Sequence, residues 1–94
     1  MKNDYSLTKI VLANMYAYGL GVNKDYEKAE RLCNSVLREN RSLDTATIAY
    51  KILGYLYSLD DYKKDIGFSN KCYEMSNKLE RKILKDNDFT LKLY

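Results

Sequence analysis

Proline, histidine and tryptophan are all missing from this chain of 94 residues, and it holds only 4 glycines and 2 cysteines. Each shortage removes a class of structure or chemistry. Without proline, no residue lacks an amide hydrogen or locks φ, so nothing in the chain forbids long helices. Without histidine, the usual imidazole base and the commonest metal ligand are gone. Cys33 and Cys72 are far apart, with no CxxC spacing, and supply too few soft ligands to close a zinc site. They read as two small buried hydrophobes. Gly19, Leu20 and Gly21 lack the third glycine and preceding strand of a dinucleotide site, and no nucleophile has a plausible base. The expectation is a protein that is not an enzyme and takes no cofactor or metal. The longest apolar run near the N-terminus, residues 10–13, falls far short of a signal-peptide core or a membrane span. That places the chain in the cytoplasm, away from membranes.

What is present fits one small globular domain. Hydrophobic residues make up 46% of the chain and charged residues 31%, too apolar a balance for disorder. A net charge of +3 is too mild to imply nucleic acid by itself. Tyrosine is the unusual feature, with 10 against 2 phenylalanines. A tyrosine can be half buried with its hydroxyl wet, which suits both cores and protein interfaces.

An internal repeat organises the sequence. Leu12, Ala13, Met15 and Tyr16 match Leu53, Gly54, Leu56 and Tyr57 at an offset of 41, and Lys24 and Asp25 match Lys64 and Asp65 at 40. A period of about 40 suits a two-helix solenoid unit. The first helix, at about 5–18, stops at Gly19, and the glycines at 19 and 21 free the backbone for a tight reversal. Asp25 caps a second helix at about 26–40, whose stripe of Tyr26, Ala29, Leu32, Cys33, Val36 and Leu37 faces inward. Glu27 and Arg31 stand one turn apart on its outside and can pair. Asp44 is the expected cap of a third helix running to about 59. Asp65 caps a fourth, at about 66–85, with an expected seam of Phe68, Cys72, Met75, Leu79 and Ile83. Apolar residues fill most of the third helix's circumference, as happens when an inner helix touches both its own partner and the adjacent unit. Thr47, Lys51 and Ser58 join Asp44 in its narrow polar strip.

The stretch from Leu12 to Ala29 resembles the Sel-one-like repeat (SLR), a relative of the tetratricopeptide repeat whose units read approximately LGxLYxxGxGVxxDxxKA. Leu12, Tyr16, Gly19, Gly21, Val22, Asp25, Lys28 and Ala29 fall on that pattern, with Ala13 in place of its first glycine and Met15 in place of its second leucine. The second unit keeps Ala49, Leu53, Gly54, Leu56, Tyr57 and Asp65. There Asp60, Asp61, Tyr62 and Lys63 replace the glycine loop, and Phe68 and Ser69 replace the lysine and alanine. Aspartates can turn a chain through side-chain-to-backbone bonds, so a reversal is still expected. The resemblance implies an all-α fold: two antiparallel helix pairs stacked as a short α-solenoid in a single domain over 1–94. Repeat one lies at about 5–40, repeat two at about 44–86, and a capping tail at 87–94. In that tail Phe89, Leu91 and Leu93 alternate with polar residues. The resemblance also implies adaptor or scaffold work, with no catalytic residues to transfer.

Inner helices of such stacks line the binding surface. Ile10, Asn14 and Tyr18 on the first helix and Thr47, Lys51, Tyr55 and Ser58 on the third are therefore the candidate partner-binding residues. The expected partner is another protein, with a homodimer as the alternative. Small size and lack of chemistry would suit a bacterial or phage immunity protein or inhibitor that occludes a toxin or effector. A second reading uses the basic face of the last helix, made by Lys71, Lys78, Arg81, Lys82 and Lys85, to hold nucleic acid or an acidic ligand. Glu74 and Glu80 dilute that face, so nucleic acid is the disfavoured partner.

Overall fold

The computed structural model describes residues 5–39 and 42–86. Among them are four helices and no strand: α1 (Ser6–Tyr18), α2 (Tyr26–Glu39), α3 (Leu43–Tyr57) and α4 (Ile66–Asp86). The all-α expectation is met. The proposed capping tail, 87–94, lies outside the described residues.

Each helix begins and ends for an identifiable reason. Gly19 closes α1 in the left-handed conformation, at φ 68° and ψ 41°, with its amide on the Met15 carbonyl. Gly21 follows at φ 75°, a second turn that a side chain would strain. The Asp25 amide then donates to the Tyr16 carbonyl at 2.9 Å, and its carboxylate accepts the Lys28 amide at 3.0 Å, capping α2. The second pair repeats the device without glycine. There the Asp65 amide donates to the Tyr57 carbonyl at 2.8 Å and its carboxylate accepts the Phe68 amide at 3.0 Å. One cap differs from expectation. The Ser42 hydroxyl accepts the amides of Asp44 and Thr45, so Ser42 caps α3 and Asp44 stands in its first turn, where its charge still suits the helix dipole.

Helices α1 and α2 run antiparallel, since the start of α1 meets the end of α2. Lys9 Nζ donates to Ser35 Oγ at 2.8 Å and to Glu39 Oε2 at 2.6 Å, while the buried Ser6 hydroxyl donates to the other Glu39 oxygen at 3.0 Å. The expected pairing of Glu27 with Arg31 is not formed. Helix α3 packs against all three of the others, whereas α4 packs only against α3.

The α3–α4 contact corrects the expected seam. Phe68 is 41% and Met75 38% exposed, and the buried side chains of α4 are Ser69, Cys72 and Ser76. Small side chains let the two backbones approach, and the hydroxyls find partners there. Ser69 Oγ donates to the Gly54 carbonyl at 2.7 Å and Ser76 Oγ to the Thr47 carbonyl at 3.1 Å. Apolar spacing misplaces this face because buried serines carry no hydrophobic signal. Cys33 and Cys72 are both free and buried, and burial pushes the Cys33 thiol up to about 12.

Between the pairs, beside the apolar core, the Glu30 carboxylate of α2 meets α3 and the loop that follows it. Glu30 accepts the Tyr57 hydroxyl at 2.6 Å, the Tyr62 hydroxyl, and Lys63 Nζ at 3.2 Å. Burial alone would raise the Glu30 pKa, but these donors hold it below the ordinary value. Tyr57 is pushed up to about 12, first by its bond to Glu30 and then by burial.

Two outcomes follow from these contacts. Gly21→Ala is expected to lower stability by about 1–2 kcal/mol through its left-handed backbone alone, because an added Cβ would make only an ordinary contact there, with the Met15 methyl at 3.8 Å. Asp61→Ala in the other loop should change it by under about 0.5 kcal/mol, and paired thermal melts would show the difference. The Glu30 network also sets a pH window. A carboxylate held low contributes stability above about pH 4.3, its unfolded value, and loses it as pH falls through the folded one. A tyrosine held high contributes below about pH 10 and loses that contribution as pH rises toward 12. Glu30→Gln should therefore cost about 1–3 kcal/mol at pH 7, with the gap to wild type narrowing at both extremes of denaturant melts run across pH.

Candidate protein-binding surface

The end of α1 leaves Tyr18 42% exposed, and its ring stacks on Tyr55 of α3 with centroids 4.4 Å apart and planes 27° from parallel. From α4, Tyr73 lies against the α3 backbone at Gly54. A Cβ there would sit 2.8 Å from the ring, so glycine is what lets the aromatic face down onto the helix. Burial raises the Tyr18 pKa, as do the neighbouring Tyr55 and Tyr73 hydroxyls. Three helices thus bring three tyrosines to one surface, each with a partly solvated edge.

A groove of about 310 Å³ lies between α3 and α4, toward the start of α3. Asp44, Thr47, Ile48, Lys51, Glu80, Ile83 and Leu84 line it, and the Lys51–Glu80 ion pair crosses it at 3.1 Å. Its apolar floor with polar groups at the edge, beside fixed aromatic faces, suits the side chains of a protein segment. At the opposite end of the molecule a second groove of about 330 Å³ is lined by Leu12, Tyr16, Lys28, Arg31 and Leu32.

Asn14, Tyr18, Lys51 and Tyr55 of the expected strip are all at least partly exposed, and Tyr18 meets Tyr55 directly. Ser58 is exposed as well, but its hydroxyl is turned back to the Tyr55 carbonyl at 2.6 Å. Two residues of the expected strip lie elsewhere. Ile10, 2% exposed, belongs to the core, where it shares one cluster with Ala13 and Ala17 of its own helix and with residues of the other helices. Thr47 is 5% exposed, and its hydroxyl donates to the Leu43 carbonyl at 2.8 Å within α3. Both fall on a face that the repeat register marks as polar or mixed, and only the packing of neighbouring helices shows that it is covered. Tyr73, Ile48 and Leu84 were missed. The first of these has a sequence signal: an aromatic one helix away from an in-register glycine.

Lys71, Lys78, Arg81, Lys82 and Lys85 are all exposed on α4, and none forms an ion pair among the described residues. No helix among those residues is long and apolar enough to cross a membrane. Compared with known protein families, curated proteins and solved structures, the chain gives no match.

The stacked pair should be energetically coupled. A double-mutant cycle with Tyr18→Ala and Tyr55→Ala is expected to give about 0.5–1.5 kcal/mol of coupling in denaturant melts. Lys51→Ala should change stability by under about 1 kcal/mol, since its ion pair is solvated.

Proposed function

We propose that this chain is a small cytoplasmic protein-binding module of the Sel-one-like kind, and that it acts as an immunity protein or inhibitor by occluding a toxin or effector. The observation that carries the reading is the stacked Tyr18–Tyr55 pair, held beside Tyr73 and next to an apolar groove. Rigid, partly exposed aromatic rings lose little conformational freedom on binding and rank among the residues that dominate interface energies. Asn14 and Lys51 supply polar contacts at the edge of the same surface. The inhibitor role rests on analogy: a small rigid face can block a larger protein by covering it, with no reaction of its own.

A second reading is supported by the five exposed, unpaired cations of α4, which fit phosphates or an acidic ligand. One experiment separates the two. The chain is co-expressed with the product of the neighbouring reading frame, captured, and washed between about 50 and 200 mM salt, a range over which multiple phosphate contacts lose about 10³-fold or more in affinity. The protein-binding reading expects a complex that survives the wash and weakens about a hundredfold in the Tyr18→Ala/Tyr55→Ala variant. Retention of RNA or DNA with a steep salt dependence, and no protein complex, would overturn it.

A further inference from the structure

The two helix pairs are built alike, and that likeness identifies what the groove at the α1–α2 end lacks. Tyr16 and Tyr57 hold equivalent places, since each gives its carbonyl to the amide of the aspartate that caps the next helix. Lys28 and Phe68 are equivalent too: Lys28 Nζ lies 4.9 Å from the Tyr16 ring centroid, and the Phe68 ring lies 4.6 Å from that of Tyr57. The surroundings nevertheless differ. Leu53 is 3% exposed in the fold, whereas Leu12 in the same place is 37% exposed. The Tyr57 hydroxyl reaches Glu30 on α2, while the Tyr16 hydroxyl has no partner among the described residues.

We propose that this end receives the α3–α4 end of a second copy, so that copies stack head to tail and continue the junction that α2 makes with α3 inside each chain. Both halves of such a contact are present on one molecule, at opposite ends. Counting 40 residues on from α2, Ile66 of α4 takes the place of Tyr26, and Asn70 that of Glu30. Both are exposed. The Asn70 amide oxygen accepts the Tyr16 hydroxyl across the contact, as Glu30 accepts Tyr57 within the chain, and Ile66 adds the apolar contact that Tyr26 makes with Tyr62. Lys28 and Arg31 border the receiving groove. An uncharged amide facing those cations makes a weaker bond than a carboxylate would, so the wild-type association is weak and depends on concentration. A head-to-tail contact uses two different surfaces and need not close, so mass grows with concentration beyond a dimer. By the same offsets Lys51 takes the place of the buried Ile10 and Tyr73 that of the buried Cys33, so the stack covers part of the tyrosine surface and competes there with a protein partner.

Sedimentation and light scattering on the full chain test this between about 10 μM and 1 mM. Wild type is expected to rise in average mass over that range. Asn70→Glu restores the carboxylate and should tighten self-association about tenfold, and adding Tyr16→Phe should remove the gain. Leu12→Glu blocks one end and Ile66→Glu the other, so each variant alone should stay monomeric while an equimolar mixture forms a complex of two chains and no larger. Circular dichroism confirms that both are folded. The proposal is overturned if wild type and Asn70→Glu both remain monomers at the highest concentration. It is equally overturned if either end-blocked variant still self-associates by itself, which would mean a symmetric contact through one end.

Discussion

The position of α3 governs this fold. Among the described helices it alone packs against the other three, so its sides must be mostly apolar or very small. Toward α4 the demand is for smallness: Gly54 carries Tyr73 on its backbone, and Ser69 and Ser76 bring their hydroxyls within bonding distance of α3 carbonyls. Gly54 lies in the last turn of α3, where the Ser58 amide turns to the Tyr55 carbonyl, so Ser69 gives the Gly54 carbonyl a partner that the helix does not. Such a contact buries polar groups without leaving any unpartnered, and no buried side-chain nitrogen or oxygen among the described residues lacks a partner.

Toward α2 a carboxylate stands beside the apolar core. The Glu30 carboxylate gathers two tyrosine hydroxyls and a lysine at the boundary between the pairs, a site dry enough to strengthen each bond yet close enough to solvent for Lys63 to stay hydrated. A hydrophobic contact alone would let one pair slide over the other. Directional bonds to a single carboxylate fix the register between them. The tyrosine surface depends on this register, since Tyr18 reaches Tyr55 only if α1 and α3 are aligned along their lengths.

The high tyrosine content thus divides between two tasks. Tyr57 and Tyr62 lock the junction through their hydroxyls, while Tyr18, Tyr55 and Tyr73 present ring faces at the surface. Composition alone cannot separate these roles, because a hydroxyl that holds a carboxylate and one that meets water belong to the same residue type. Partner atoms decide.

The sequence by itself determined the four helices, their order and most of their ends. Those features rest on local chemistry: glycine in the left-handed turn at 19 and 21, aspartate carboxylates on first-turn amides at 25 and 65, and a clean apolar stripe along α2. The offset of 41 also put Asn14 in register with Tyr55, one turn from Lys51. What it misassigned was long-range. Ile10 and Thr47 read as surface and are buried, Phe68 and Met75 read as core and stand about 40% exposed, and Ser42 rather than Asp44 caps α3. Periodicity says which residues share a face but not which neighbour covers it, and serine conceals a buried face because its hydroxyl can be satisfied by a carbonyl from another helix. Which faces are covered was settled only when α3 took its place among the other three.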